Sequence, residues 1–115
     1  MTYKEVASMV ESIGVPFAYY QFSKDTAKPC PFICFYYEAS DDFAADNTNY
    51  QKIRPLTIEL YTDEKDFALE ETVETVLNNH GLVYARQESY IDSEKMLMVV
   101  YTTDIVITEE KQDGE

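Results

Sequence analysis

The sequence predicts an α+β domain, a mainly antiparallel sheet of four or five strands with two helices packed on one of its faces. Three observations predict it. Apolar residues recur at helical spacing in two places, Val6, Met9, Val10 and Ile13, then Leu69, Val73, Val76 and Leu77. Between and after these stripes the pattern changes to strand alternation and runs of strand formers. The resulting order is α-β-β-β-α-β-β in 115 residues, 45% of them hydrophobic, enough for one core and too few residues for two. Helices with a single apolar stripe bury it most simply on one face of such a sheet.

Taken in order, Thr2 and Glu5 form a capping box that opens a helix over Thr2–Ile13, which Gly14 and Pro16 stop. Phe17–Phe22 is aromatic-rich and reads as a first strand, and Ser23–Pro31 as a polar loop. Phe32–Glu38 reads as a buried strand. Ala39–Asn49 has turn chemistry and reads as an exposed loop or hairpin tip. The chain becomes extended again from Tyr50. Leu56, Ile58 and Leu60 alternate with Thr57, Glu59 and Tyr61, with Pro55 marking the start of that strand, an edge position or a bulge. Asp63 is the expected N-cap of a second helix, Asp63–Asn79, with Glu70, Glu71 and Glu74 on its wet side and Gly81 as the left-handed residue that ends it. Leu82–Tyr90 and Lys95–Ile107 make a final hairpin. The domain is expected to span 1–107, followed by a charged, disordered tail, 108–115.

The chain has 22 acidic and 9 basic residues, a formal charge of −13. This field repels phosphate backbones and argues against sequence-specific nucleic-acid binding and against anionic membranes. It permits solubility, repulsion between unassembled copies, and partners with basic faces. No apolar run approaches the roughly 20 residues of a membrane span, and no signal peptide is expected at the N-terminus. Cys30 and Cys34 are read as reduced, too far apart along one strand face for comfortable bridging, which suits the cytoplasm.

No constellation for catalysis stands out, and the chain is expected not to be an enzyme. His80 is the only histidine; at a helix end its ring suits the free carbonyls better than a dyad or triad. Two cysteines without a second ligand pair do not make a zinc site. Asp41, Asp42, Asp46, Asn47 and Asn49 cluster oxygen donors, but without the glycine and closing glutamate of a calcium loop. With 3 glycines in all there is no phosphate-binding loop. No metal or cofactor is therefore expected. Phe43 lies among Asp41, Asp42 and Asp46 with no local reason for an apolar ring there. Phe43, Tyr50 and these three aspartates are the expected interface residues, with Phe43 inserting into a neighbour.

The stretch Leu56–Asp66, the Glu-rich helix after it, Gly81–Tyr84, Glu88–Met96 and the β-rich end together resemble small tail-completion proteins of long-tailed phages and prophages of Gram-positive bacteria. Phe43–Asp46 and Tyr50 fit the same resemblance, which covers most of residues 1–107. The element order is similar to that of tail terminator proteins. The resemblance implies a ring of copies, a hexamer, that caps the tail tube and joins it to the head. Its partners would be itself, the major tail tube protein and a head-completion protein. Its place would be the virion, after assembly in the host cytoplasm. An acidic inner wall would let DNA pass without sticking. The competing reading is a small acidic inhibitor that mimics DNA to block a host nucleic-acid-binding protein.

Overall fold

A computed structural model describes residues 1–22, 29–38 and 52–108. Two helices and five strands follow in the expected order: α1 (Tyr3–Glu11), β1 (Phe17–Tyr19), β2 (Phe32–Tyr37), β3 (Lys52–Thr62), α2 (Phe67–Asn79), β4 (Tyr84–Ile91) and β5 (Met96–Ile107). The sheet order is β1-β2-β3-β5-β4. All neighbours are antiparallel except β1 and β2, which are parallel, so the sheet is mixed but mainly antiparallel.

The core lies between the sheet and the helices. Val6, Met9 and Val10 of α1 and Val73 and Leu77 of α2 join one buried cluster with Ile33, Phe35, Leu56, Ile58, Leu60, Val99, Tyr101, Ile105 and Ile107. Those strand positions have matching parity across the register, as in Ile33↔Leu60↔Val99 and Phe35↔Ile58↔Tyr101, so they share one sheet face. Both helices cover that face. Val6, Val10, Val73 and Leu77 have no exposure at all, and each such side chain contributes about 1.5–3 kcal/mol by leaving water.

Each helix begins and ends for a visible reason. At α1 the Thr2 hydroxyl accepts from Glu5 N–H at 3.0 Å while the Glu5 carboxylate accepts from Thr2 N–H at 2.9 Å. The predicted capping box is present. At α2 the cap is Asp66, accepting from Leu69 N–H at 3.0 Å, and not Asp63. The helix starts at Phe67, so Asp66 directly precedes it while Asp63 lies a full turn too early. The end is a Schellman motif. Leu82 N–H reaches the Leu77 carbonyl at 3.1 Å and Gly81 N–H reaches that of Asn78 at 2.9 Å, with Gly81 at φ +72°.

Other expectations change in detail. The first strand ends at Tyr19, not Phe22, because Tyr20 turns the chain at φ +72°. Cys30 is not in a strand; it precedes β2 across a cis Pro31, and both cysteines are free. Pro55 does not start β3 but sits inside it, opposite Asp104 of β5. The β2–β3 register ends at Tyr37↔Leu56, and Pro55 offers its carbonyl to Glu38 N–H at 2.9 Å on that side. Its missing N–H points the same way, where the ladder has run out, so no bond to β5 is lost. Thr108, placed by sequence in the tail, is tied by its N–H to the Met1 carbonyl at 3.0 Å. The rest of that tail and the Ala39–Asn49 loop lie outside the described residues.

Candidate interaction surfaces

The five interface residues expected from sequence, Phe43, Tyr50, Asp41, Asp42 and Asp46, all lie outside the described residues. What the structure does place are three surfaces built from side chains that sequence reasoning treated as ordinary.

The first is the sheet face away from the helices, which no helix covers. Opposed residues form rows across it: Phe32, Tyr61 and Met98; Cys34, Glu59 and Val100; Tyr36, Thr57 and Thr102; then Ile53 and Val106. Aromatic rings stand on this face in pairs. Phe32 stacks on Tyr61 with centroids 4.8 Å apart, and Tyr20 stacks on Tyr36 at 5.2 Å with the planes 6° apart. Between the pairs lies Glu59, whose two carboxylate oxygens accept from Tyr61 Oη at 2.7 Å and Tyr36 Oη at 3.1 Å. Burial, with Glu59 beside them, raises the Tyr36 and Tyr61 phenols and the Cys34 thiol above their ordinary values, so all three stay protonated. Tyr20, Gln21, Phe22, Phe32, Cys34, Glu59 and Tyr61 line a cleft of about 330 Å³ here.

The second surface joins α2 to the edge strand β4. Glu70, read from sequence as a surface charge, is only 4% exposed. It belongs to the buried stripe at i, i+3, i+7 with Val73 and Leu77, a spacing that was legible beside the Leu69, Val73, Val76 stripe. One Glu70 oxygen takes both Arg86 and Lys65, the latter at 2.9 Å. Lys65 also reaches Glu88 at 2.7 Å, and Arg86 Nε reaches Glu74 at 3.3 Å. Tyr101 Oη donates to Glu74 at 2.9 Å beneath them. Hydrogen bonding to Glu70 holds the Arg86 guanidinium charged, and that from Lys65 pulls the Glu88 carboxyl below its usual range. This network ties β4, whose six inner residues are all exposed, to the rest of the domain.

The third is a cleft of about 450 Å³ between α1 and the β1–β2 edge, lined by Tyr3, Ala7, Tyr19, Phe35, Tyr37 and Arg54. Among the described residues Tyr37 Oη and Arg54 Nε find no hydrogen-bond partner. His80, by contrast, sits at the end of α2 with Nδ1 2.9 Å from the Val76 carbonyl, the capping position its sequence context predicts. Among the described residues no three of His, Cys, Asp and Glu come together to hold a metal, and no helix is long and apolar enough to cross a membrane.

No family model matches the chain, and no match to a curated protein is found.

Proposed function

We propose that the chain is a structural assembly protein and not an enzyme, of the tail terminator type, which forms a ring that caps a phage tail tube and joins it to the head. The observation that supports this reading is the two-layer build, which among the described residues leaves two unlike surfaces uncovered: an aromatic sheet face and the long edge of β4. A closed ring of identical subunits needs two different complementary surfaces on each copy. A free edge strand that is long and exposed is a template for pairing with another chain. The charge of −13 holds separate copies apart at low salt. Phe43, Tyr50 and their neighbouring aspartates remain the sequence-based nominees for the subunit contact, with the tail tube and head-completion proteins as further partners and the virion as the destination.

The alternative, a DNA-mimicking inhibitor, requires rows of exposed carboxylates. It draws little from α2, where Glu70 is buried, Glu74 is paired with Arg86, and Glu71 is left exposed.

Light scattering against salt and electron microscopy test the assembly reading. Association is expected to rise as ionic strength goes from about 0.01 to 0.1 M and the screening length falls from roughly 30 to 10 Å. Rings should appear, and Phe43→Ala should abolish them at unchanged melting temperature. A chain that stays monomeric at every salt and concentration, alone and with tail tubes, would overturn the reading, and a ring whose bore is lined by Lys52, Arg54 or Lys95 would remove the acidic bore.

A further inference from the structure

Glu59 is an ionisable side chain in the middle of a central strand, on a face whose other carboxylates, Glu38 bonded to Thr57 and Asp104 opposite Pro55, lie towards its far end. Across the register it lies between Cys34 and Val100, with Thr57 and Tyr61 beside it on its own strand, and the described salt bridges all belong to Lys65 and Arg86 on the opposite face. No cation among the described residues offsets it. Among the described residues each carboxylate oxygen accepts from one tyrosine hydroxyl, which leaves it a lone pair for a further donor. The hydroxyls fix the plane of the carboxylate, and the stacked pairs Tyr20–Tyr36 and Phe32–Tyr61 stand on either side of it.

Tyr20 adds an independent sign. It is the centre of a three-residue turn closed by Gln21 N–H to the Tyr19 carbonyl at 2.9 Å, at φ +72°. A residue with a side chain rarely adopts that backbone, which is strained and persists where the surroundings demand it. The turn presents the Tyr20 ring, 59% exposed, flat against Tyr36 at the mouth of the cleft.

We infer that the cleft walled by Tyr20, Phe22, Phe32 and Tyr61 and floored by Glu59 receives an arginine side chain of a partner protein. A guanidinium is flat, weakly hydrated and forked. It can stack on a ring face while donating two parallel hydrogen bonds to the free lone pairs of one carboxylate. A cleft of about 330 Å³ has room for that head and its stem, and the rings shield the ion pair from water. A lysine ammonium would gain the charge but neither the fork nor the stacking. The inference concerns recognition of a basic partner and does not depend on the ring reading above.

The test is titration of the isotope-labelled protein with the peptide acetyl-Gly-Arg-Gly-amide, followed by NMR, beside the same peptide carrying citrulline or lysine. Saturable shifts at Tyr20, Tyr36, Glu59 and Tyr61 are expected with arginine, weaker ones with lysine and none with the neutral citrulline. Glu59→Gln should weaken binding about tenfold, the worth of a charge-assisted hydrogen bond. Asp104→Asn, the same charge change at an exposed position of the same face, should leave it within about twofold. Tyr20→Gly, which relieves the backbone while removing a ring, should cost roughly two- to fivefold. Lys24 and Lys28 lie outside the described residues, and their joint replacement by alanine should leave the affinity unchanged. Equal shifts with citrulline, equal binding by lysine, or full binding by Glu59→Gln would overturn the inference. So would a several-fold gain on removing Lys24 and Lys28, since the chain would then fill the cleft itself.

Discussion

The two faces of β3 meet different fates although they alternate along the same eleven residues. Leu56, Ile58 and Leu60 are wholly buried under α1 and α2. Thr57, Glu59 and Tyr61 point the other way, where among the described residues no helix follows; Thr57 donates to Glu38, and Glu59 accepts from Tyr61 and Tyr36. On the covered face two polar groups bring their partners with them, Tyr101 with Glu74 and Glu70 with Arg86. On the open face the residues are amphipathic, with ring faces to pack and hydroxyls to hold a carboxylate in place. Damage on the covered face should therefore cost stability, and damage on the open face should cost recognition.

The sharpest way to break this contrast is Val73→Asp. Val73 is fully buried on α2, and an unpaired carboxylate there costs several kcal/mol or forces its own neutralisation. Against a whole-domain stability of about 5–15 kcal/mol, the variant is expected to be unfolded or to melt far below the wild type in a calorimetric scan. Melting within a few degrees of wild type would show that the α2 stripe does not face the core. Next in size is Arg86→Ala, which leaves the buried Glu70 with Lys65 alone. A fully buried pair would lose more, but Arg86 is a third exposed and solvent screens it, so about 1–3 kcal/mol is expected in denaturant unfolding. Glu70→Leu combined with Arg86→Met should recover most of that loss, because neither charge is then stranded. If the double variant is as unstable as Arg86→Ala, the network holds β4 by something other than charge satisfaction.

The helices were the most legible part of the fold, since a 3.6-residue period and a capping box are local signals. The order of the sheet was not, because nothing local says that β5 inserts between β3 and β4 or that β1 pairs in parallel. Glu70 was misread for a related reason. A carboxylate on the core stripe makes sense only once Arg86, sixteen residues away on another element, is known to lie above it. The cleft on the open face was missed because Tyr20, Tyr36, Glu59 and Tyr61 look like ordinary strand alternation until the register aligns them. What sequence composition did convey correctly was the amount of aromatic surface, 10 Tyr and 6 Phe in a chain without Trp.

The tyrosines also make the contrast measurable against pH. Burial pushes Tyr37, on the helix side, from its ordinary value near 10 up to about 12, and raises Tyr61 and Tyr101 as well. A folded-state value above the unfolded one means that the native chain holds more protons in that interval, so stability is full below pH 10 and falls as pH rises towards 12. Tyrosine absorbance and circular dichroism should therefore show delayed ionisation, then unfolding and ionisation together. On the acid side, the lowered Glu88 carboxyl contributes stability that is present above its ordinary value of 4.5 and is lost as pH falls through its folded value. Free ionisation of all the tyrosines near pH 10 with the fold intact would contradict the burial of these rings.

The smallest effect is expected from Ile53→Thr with Val106→Thr, a pair directly opposed across β3 and β5 on the open face. Ile53 is 61% exposed and Val106 43%. Threonine keeps the branched β-carbon that favours a strand, so the substitution changes surface polarity and little else. Substitutions of this kind usually stay within about 0.5 kcal/mol, and the midpoint of urea unfolding should barely move. The same pair of changes on the covered face, at Leu60 and Val99, would open a cavity worth several kcal/mol. A large loss at Ile53 and Val106 would mean that this end of the open face is covered within the monomer, leaving the aromatic cleft around Glu59 as the only part of that face free to meet a partner.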